Sequence, residues 1–277
     1  MAYGAGAGRA AGGEGAGGAP AVHVTEQGLP DWLRPVAEAA RTIEPHQLSR
    51  FLPPKNGSGR QSAVLVLFGE GTAAAQTGEP ARTGARAADP VRPGSPANPH
   101  APGGLHAPGG PELLLMERAG TLRSHAGQPS FPGGALDPED GDPAGDGPLR
   151  AALREAEEET GLDPSGVQLF GVLPRLYIPV SEFVVTPVLG WWRRPSPVAP
   201  VDPAETARVF TVPVAELTDP ANRALALHPS GHRGPAFLVG GALVWGFTAG
   251  VIDRILHFAG WERPWDRDRH VPLDWRA

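Results

Sequence analysis

The chain contains no cysteine. That excludes disulfide crosslinks, thiolate metal sites and a cysteine nucleophile, and it fits the cytoplasmic location expected here. Long apolar runs are missing too. The most apolar stretch, Leu238 to Ile252, is fifteen residues long, includes four glycines and stops at Asp253, whereas a membrane-spanning helix needs about 20 apolar residues. There is no basic excess either. The formal net charge is −6, and a general nucleic-acid binder carries a basic stripe. An anionic substrate therefore needs local help, from metal ions or a few placed arginines.

Glycine and proline are abundant, at 38 and 33 residues, and part of the chain is accordingly expected to lie outside any packed core. Residues 1–28 read as a disordered Gly/Ala-rich tail, residues 69–111 as a low-complexity insertion, and residues 266–277 as a C-terminal tail. One domain over 29–265, interrupted by the insertion, remains. Asp31 to Ala40 has the pattern of a short amphipathic helix, and Ser62 to Phe68 that of a buried strand. Glu112 to Arg118 predicts a second strand, paired with the first across the insertion. Val167 to Leu173 and Phe183 to Gly190 predict two more, and Ala242 to Trp245 a strand passing into a closing helix through Ile255.

The most informative stretch is Arg154-Glu155-Ala156-Glu157-Glu158-Glu159-Thr160-Gly161-Leu162. Leu149, Ala152, Leu153 and Ala156 recur at helical spacing, Pro148 suits a first turn and Gly161 suits the position just past a helix end. The spacing predicts a helix over 148–160. On it Glu155, Glu158 and Glu159 stand at i, i+3 and i+4, so three carboxylates share one face, and each like-charged neighbour pair costs roughly 0.2–0.5 kcal/mol. A hard divalent cation turns that repulsion into coordination, since Mg²⁺ takes oxygen ligands from carboxylates and substrate phosphates.

This segment resembles the second half of the box of the Nudix hydrolases, G-x5-E-x7-R-E-U-x-E-E-x-G-U with U apolar, matching it at every fixed position. The first half departs from the pattern. Counting forward from Gly134 gives Asp140 and counting back from Arg154 gives Asp146, with Gly141 to Gly145 between them as an insertion. The acid of that half stays open between the two aspartates, and Asp146 is also suited to capping the helix. Upstream, Leu114-Leu115, Arg118-Ala119, Arg123, Gly127 and Phe131-Pro132-Gly133-Gly134 resemble the pattern that precedes the box in coenzyme A pyrophosphatases. Trp245-Gly246-Phe247-Thr248-Ala249 is similar to a C-terminal stretch of the same subgroup, with a packing role.

The resemblance implies an α/β fold, a Nudix-type α/β/α sandwich with a mixed β-sheet, and hydrolysis of the pyrophosphate of coenzyme A or a derivative. It implies Mg²⁺ or Mn²⁺ held by Glu155, Glu158 and Glu159 with the Gly134 carbonyl, and Arg154 orienting the cluster. Glu155 is the first choice for the proton-accepting carboxylate, Glu182 the second, and Glu205 competes with Glu182. Arg118, Arg123, His125 and Phe131 are the expected substrate contacts, arginine because its planar fork donates two hydrogen bonds to phosphate at once. No nucleic-acid or membrane partner is expected, and a homodimer is left open. Two rivals stand beside this reading: a Nudix hydrolase acting on ADP-ribose or a dinucleotide, and a Nudix fold that only binds a nucleotide.

Overall fold

The computed structural model describes residues 22–71, 109–120 and 127–273. Residues 1–21, 72–108, 121–126 and 274–277 lie outside it, and with them Arg123, His125 and most of the tail and insertion read above.

The strand signals resolve into a mixed sheet. Strand β1 (Arg60–Glu70) carries Ala63, Leu65, Val66, Leu67 and Phe68, all buried, because it lies inside the sheet with both faces covered. It runs parallel to β7 (Phe183–Trp192) in unbroken register from Arg60↔Phe183 to Phe68↔Trp191. It pairs antiparallel with β2 (Pro111–Arg118) at Phe68↔Leu113 through Glu70↔Pro111. The insertion thus joins the two strands of a hairpin, although Gly69, Glu70 and Pro111, assigned to it from the sequence, belong to the strands themselves. Short strands β3 (Pro129–Ser130) and β4 (Gly133–Ala135) pair with β2 and β1 respectively. Strands β5 (Val167–Val172) and β6 (Leu176–Ile178) flank β7, and β8 (Thr206–Pro213) runs antiparallel to β2.

Alternate residues of these strands feed two cores. One face packs Val66, Phe68, Leu113 and Leu115 against helix α1 (Arg34–Thr42), the four-residue α2 (Pro45–Leu48) and the C-terminal α5 (Gly246–Phe258). The other packs Ala63, Leu65, Leu67 and Leu114 against α3 (Gly147–Thr160), through Leu149, Ala151, Ala152 and Ala156. This is the expected α/β/α sandwich. Ala151, Ala152 and Ala156 are fully buried, and their small size lets α3 lie close to β1, which sets where its carboxylates emerge. The helix ends as predicted, with Gly161 in the left-handed region at φ 68°. Asp146 occupies the capping position but makes no side-chain capping hydrogen bond, so the capping role expected of it is not realised.

The strand expected at Ala242 to Trp245 is present and belongs to a second sheet whose other strands the sequence signals do not mark. Strands β9 (Arg223–Leu227), β10 (Arg233–Val239), β11 (Ala242–Val244) and β12 (His270–Pro272) lie in the order β11-β10-β9-β12, joined to the body by helix α4 (Val214–Thr218). The segment read as a C-terminal tail therefore contributes a strand, parallel to β9. At the other end, the Thr25 amide donates to the Leu169 carbonyl, and the Gln168 side chain donates to the Thr25 and Gln27 carbonyls. Residues assigned to the N-terminal tail are thereby held on β5.

Candidate active site

Helix α3 and the turn between β3 and β4 build the site. Gly134 sits against β1, opposite Ala63. A Cβ there would come within 2.4 Å of Glu155 Oε1, and one on Gly133 within 2.3 Å of the Ala63 carbonyl. Both glycines are demanded by close approach, one to the acidic helix and one to β1. The Gly133 amide donates to Glu159 Oε2 at 2.8 Å.

Arg154 organises the carboxylates. Its Nε and Nη2 grip Asp140 at 3.2 and 2.8 Å, and its Nη1 reaches Glu155 Oε1 and Glu158 Oε2, each at 3.0 Å. Nη2 also donates to the Ala135 carbonyl at 3.1 Å. Burial alone would raise the Asp140 pKa, yet the hydrogen bonds from Arg154 and the Asp137 amide hold it below the usual carboxylate range. The question left open between Asp140 and Asp146 is settled geometrically. Asp140 is buried at the heart of the Arg154 network, whereas Asp146 makes only a loose pair with Arg150, at 3.6 Å.

One guanidinium cannot answer all of these charges. Burial pushes Glu159 up to about 7, opposed by the Gly133 hydrogen bond and raised again by the nearby charge of Glu155. Burial likewise raises Glu155, with Arg154 opposing it. Two carboxylates are thus held out of water without full compensation, which is the electrostatic state that a bound cation would relieve. The oxygen-only donor set suits a hard divalent ion. Glu158 is arranged differently. Its side chain is 57% exposed and turned to Arg154, and among the described residues no three acidic, histidine or cysteine side chains stand together ready to hold a metal. Of the three carboxylates expected together, Glu155 and Glu159 are part-buried, while Glu158 lies at the surface; Arg154 holds both Glu155 and Glu158.

Arg118, at the end of β2, lies close enough for its charge to lower the Glu159 pKa, and its Nε is buried without a hydrogen-bond partner. Two expectations are corrected. Phe131 is only 2% exposed and belongs to the core on the α5 face, so it packs the fold and does not face a ligand. Glu182 is exposed in the turn before β7, at φ 56°, and its carbonyl accepts from the Arg60 amide. No contact ties it to the carboxylate cluster among the described residues. Glu205, the competing candidate, is the one whose charge acts on Glu159, and its carbonyl accepts from the Ala119 amide at 2.8 Å. Register explains this, because β8 aligns Thr206 with Arg118. The Trp245 to Ala249 stretch starts α5, with Thr248 and Ala249 buried as its packing role requires.

Comparison with known proteins identifies the family. The NUDIX domain model matches residues 104–233. A protein named uncharacterized Nudix hydrolase NudL from Cronobacter sakazakii is 42% identical over 145 residues, 51% of this chain and 72% of that one. Its namesake from Escherichia coli K12 is 39% identical over 145 residues, with the same coverage. The chain belongs to the Nudix hydrolase family, enzymes acting on pyrophosphate bonds. Among solved structures, a Nudix hydrolase from M. smegmatis, RenU, aligns over 78% of this chain and 98% of that chain, at 16% identity and a TM-score of 0.43. No helix among the described residues is long and apolar enough to cross a membrane.

Proposed function

We propose that this Nudix hydrolase cleaves the pyrophosphate of coenzyme A or a derivative, giving 4′-phosphopantetheine and adenosine 3′,5′-bisphosphate. The observation that carries the reading is the pairing of two motifs at one place. The upstream pattern ends in Gly133 and Gly134, which touch Glu159 and Glu155, and it begins at Arg118, whose charge Glu159 feels.

Glu155 and Glu159, joined by Glu158 and the Gly134 carbonyl, are the residues that would hold Mg²⁺ or Mn²⁺. When bound, such an ion neutralises the diphosphate and makes a water acidic enough to act near neutral pH. The chain's own residues do the rest. Arg154 fixes Glu155 and Asp140 relative to one another, so the helix face is preorganised. Arg118, with Arg123 and His125, holds the phosphates. Water attacks one phosphorus, the bridging oxygen leaves with the other phosphoryl group, and the water's proton passes to a carboxylate oxygen. Glu155 is the assigned acceptor, and Glu205 replaces Glu182 as the alternative.

Product analysis with coenzyme A, ADP-ribose and NADH, each with Mg²⁺ or Mn²⁺ and with chelator, tests the reading. Metal-dependent release of adenosine 3′,5′-bisphosphate from coenzyme A, in preference to cleavage of the other two, is the expected result. Preference for ADP-ribose or NADH would retain the acidic helix and discard coenzyme A. Ligand binding without turnover would leave a nucleotide-binding protein.

A further inference from the structure

Away from the carboxylates, the turn between β9 and β10 and Arg50, which lies just after α2, bring basic side chains together. Arg50, Ser230, Gly231, His232 and Arg233 line a cavity of about 560 Å³. Arg50 Nη2 stands 2.9 Å from His232 Nδ1, so the guanidinium donates and the imidazole accepts. Burial lowers the His232 pKa, and the charges of Arg50 and His228 lower it further. Ser230 Oγ lies 2.7 Å from His228 Nδ1. Among the described residues neither Arg50 nor Arg233 has a carboxylate within ion-pairing distance. In a chain of net charge −6, two exposed arginines beside a histidine make a local positive patch open to solvent.

The turn also lies at the catalytic end of the sheet. Strand β1 enters at Arg60 and β2, antiparallel to it, leaves at Arg118, so both residues mark one end. Phe51 is at that end, because its carbonyl accepts from Tyr177 on β6, which borders β7 where Arg60 begins its pairing. Arg50 precedes it and packs over its ring, at 4.7 Å. From the other side, the His228 ring lies 6.5 Å from that of Trp245. The next residue, Gly246, sits beside Gln128, whose carbonyl accepts from the Arg118 amide. A chain of neighbours therefore runs from the cationic turn through Trp245 and Gln128 to Arg118, whose charge acts on Glu159 of α3.

We propose that Arg50, Ser230, His232 and Arg233 form a phosphomonoester subsite that takes the phosphate on the ribose of the substrate, while Arg118 and α3 take the diphosphate. This rests on the coenzyme A reading, since coenzyme A carries a ribose 3′-phosphate beside its pyrophosphate. Two arginines suit a dianionic group because each donates paired, charge-assisted hydrogen bonds. Phe51, 40% exposed, offers an apolar ring beside them for a nucleoside.

Steady-state kinetics with coenzyme A and 3′-dephospho-coenzyme A, on the full chain and on an Arg50→Ala/Arg233→Ala variant, test the subsite. Both residues are exposed, and an unchanged thermal midpoint will verify folding. The expected result is a KM for coenzyme A about tenfold higher in the variant, with kcat kept and the dephospho substrate changed by less than about twofold. An unchanged KM for coenzyme A, or an equal rise for both substrates, would overturn it. If the natural chain turns over neither compound, the coenzyme A reading fails but the subsite is still tested. Adenosine 3′,5′-bisphosphate binding to metal-free protein, followed by calorimetry, should then be about tenfold weaker in the variant, and equal binding would overturn the subsite.

Discussion

Two arginines of this molecule sit among carboxylates, and they do opposite things. Arg154 serves Asp140, Glu155 and Glu158 at once from a half-buried position, and leaves Glu159 with only a backbone amide. Arg223, at the start of β9, is 1% exposed and pairs with Asp253 of α5, with Glu262 at 4.0 Å. Its guanidinium is stacked between Phe237 and Trp265, each at 4.6 Å. Burial lowers its pKa, opposed by the Asp253 charge. The Arg223 cluster sets Arg223, Arg254 and Arg267 against Asp253 and Glu262 and ties β9, α5 and the C-terminal segment together, with every carboxylate in it answered by an arginine. The Arg154 cluster is left negative, with Glu155 and Glu159 both raised in pKa by burial, the electrostatic pattern of a candidate site.

The sharpest break of this comparison is Glu159→Gln. It should lower kcat by about 10³-fold, in line with loss of a preorganised charged group, while raising the melting temperature of the chelated protein at pH 8, because a buried charge is removed. Loss of stability with activity retained would place Glu159 with the structural arginine cluster. Asp253→Ala should do the reverse. It strands Arg223 without its partner and should cost about 3–5 kcal/mol by denaturant titration, with activity per folded molecule unchanged.

A pH titration separates the clusters next. Glu159 titrates near 7 in the folded chain and near the ordinary 4.5 when unfolded. Below 4.5 both states are protonated and the group costs nothing. Above 7 the folded state holds a desolvated charge that the unfolded state keeps in water. The chelated protein should therefore lose stability as pH rises from about 4.5 to about 7, and the Glu159→Gln variant should lose less. Added Mn²⁺ should raise the melting temperature more at pH 8 than at pH 5.5, because its ligands must be deprotonated. An equal rise at both pH values would detach Glu159 from metal binding.

The smallest effects distinguish the two aspartates. Asp140→Ala removes the bidentate partner of Arg154 and should cost about 1.5–3 kcal/mol. Asp146→Ala should cost less than about 0.5 kcal/mol, since no capping hydrogen bond is lost and its ion pair is exposed. Comparable losses by thermal denaturation would return Asp146 to the box position.

Helix α3 was legible because its chemistry is written in consecutive residues: the spacing of Leu149, Ala152 and Ala156, the Gly161 stop, and carboxylates at i, i+3 and i+4. Strands β1, β2 and β7 were legible because a strand covered on both faces is apolar throughout. The second sheet, apart from β11, was not. Arg223-Ala-Leu-Ala-Leu opens on a charge that local patterning assigns to the surface, and partners far along the chain, Asp253 in α5 first among them, make its burial tolerable. Glu182 stood next to a strong strand signal, whereas Glu205 came near Glu159 only through the pairing of β8 with β2.

The sequence by itself determined the acidic helix, the glycines beside it and the family, because short-range spacing specifies a helix face and a tight turn. Tertiary structure alone decided which charges are answered. It gave Asp140 to Arg154 and Phe131 to the core, it brought the charge of Glu205 to bear on Glu159, and among the described residues it left Arg50 and Arg233 without carboxylate partners. The physical reason is that desolvation and Coulomb energy depend on distances between segments far apart in the chain, which no local pattern encodes.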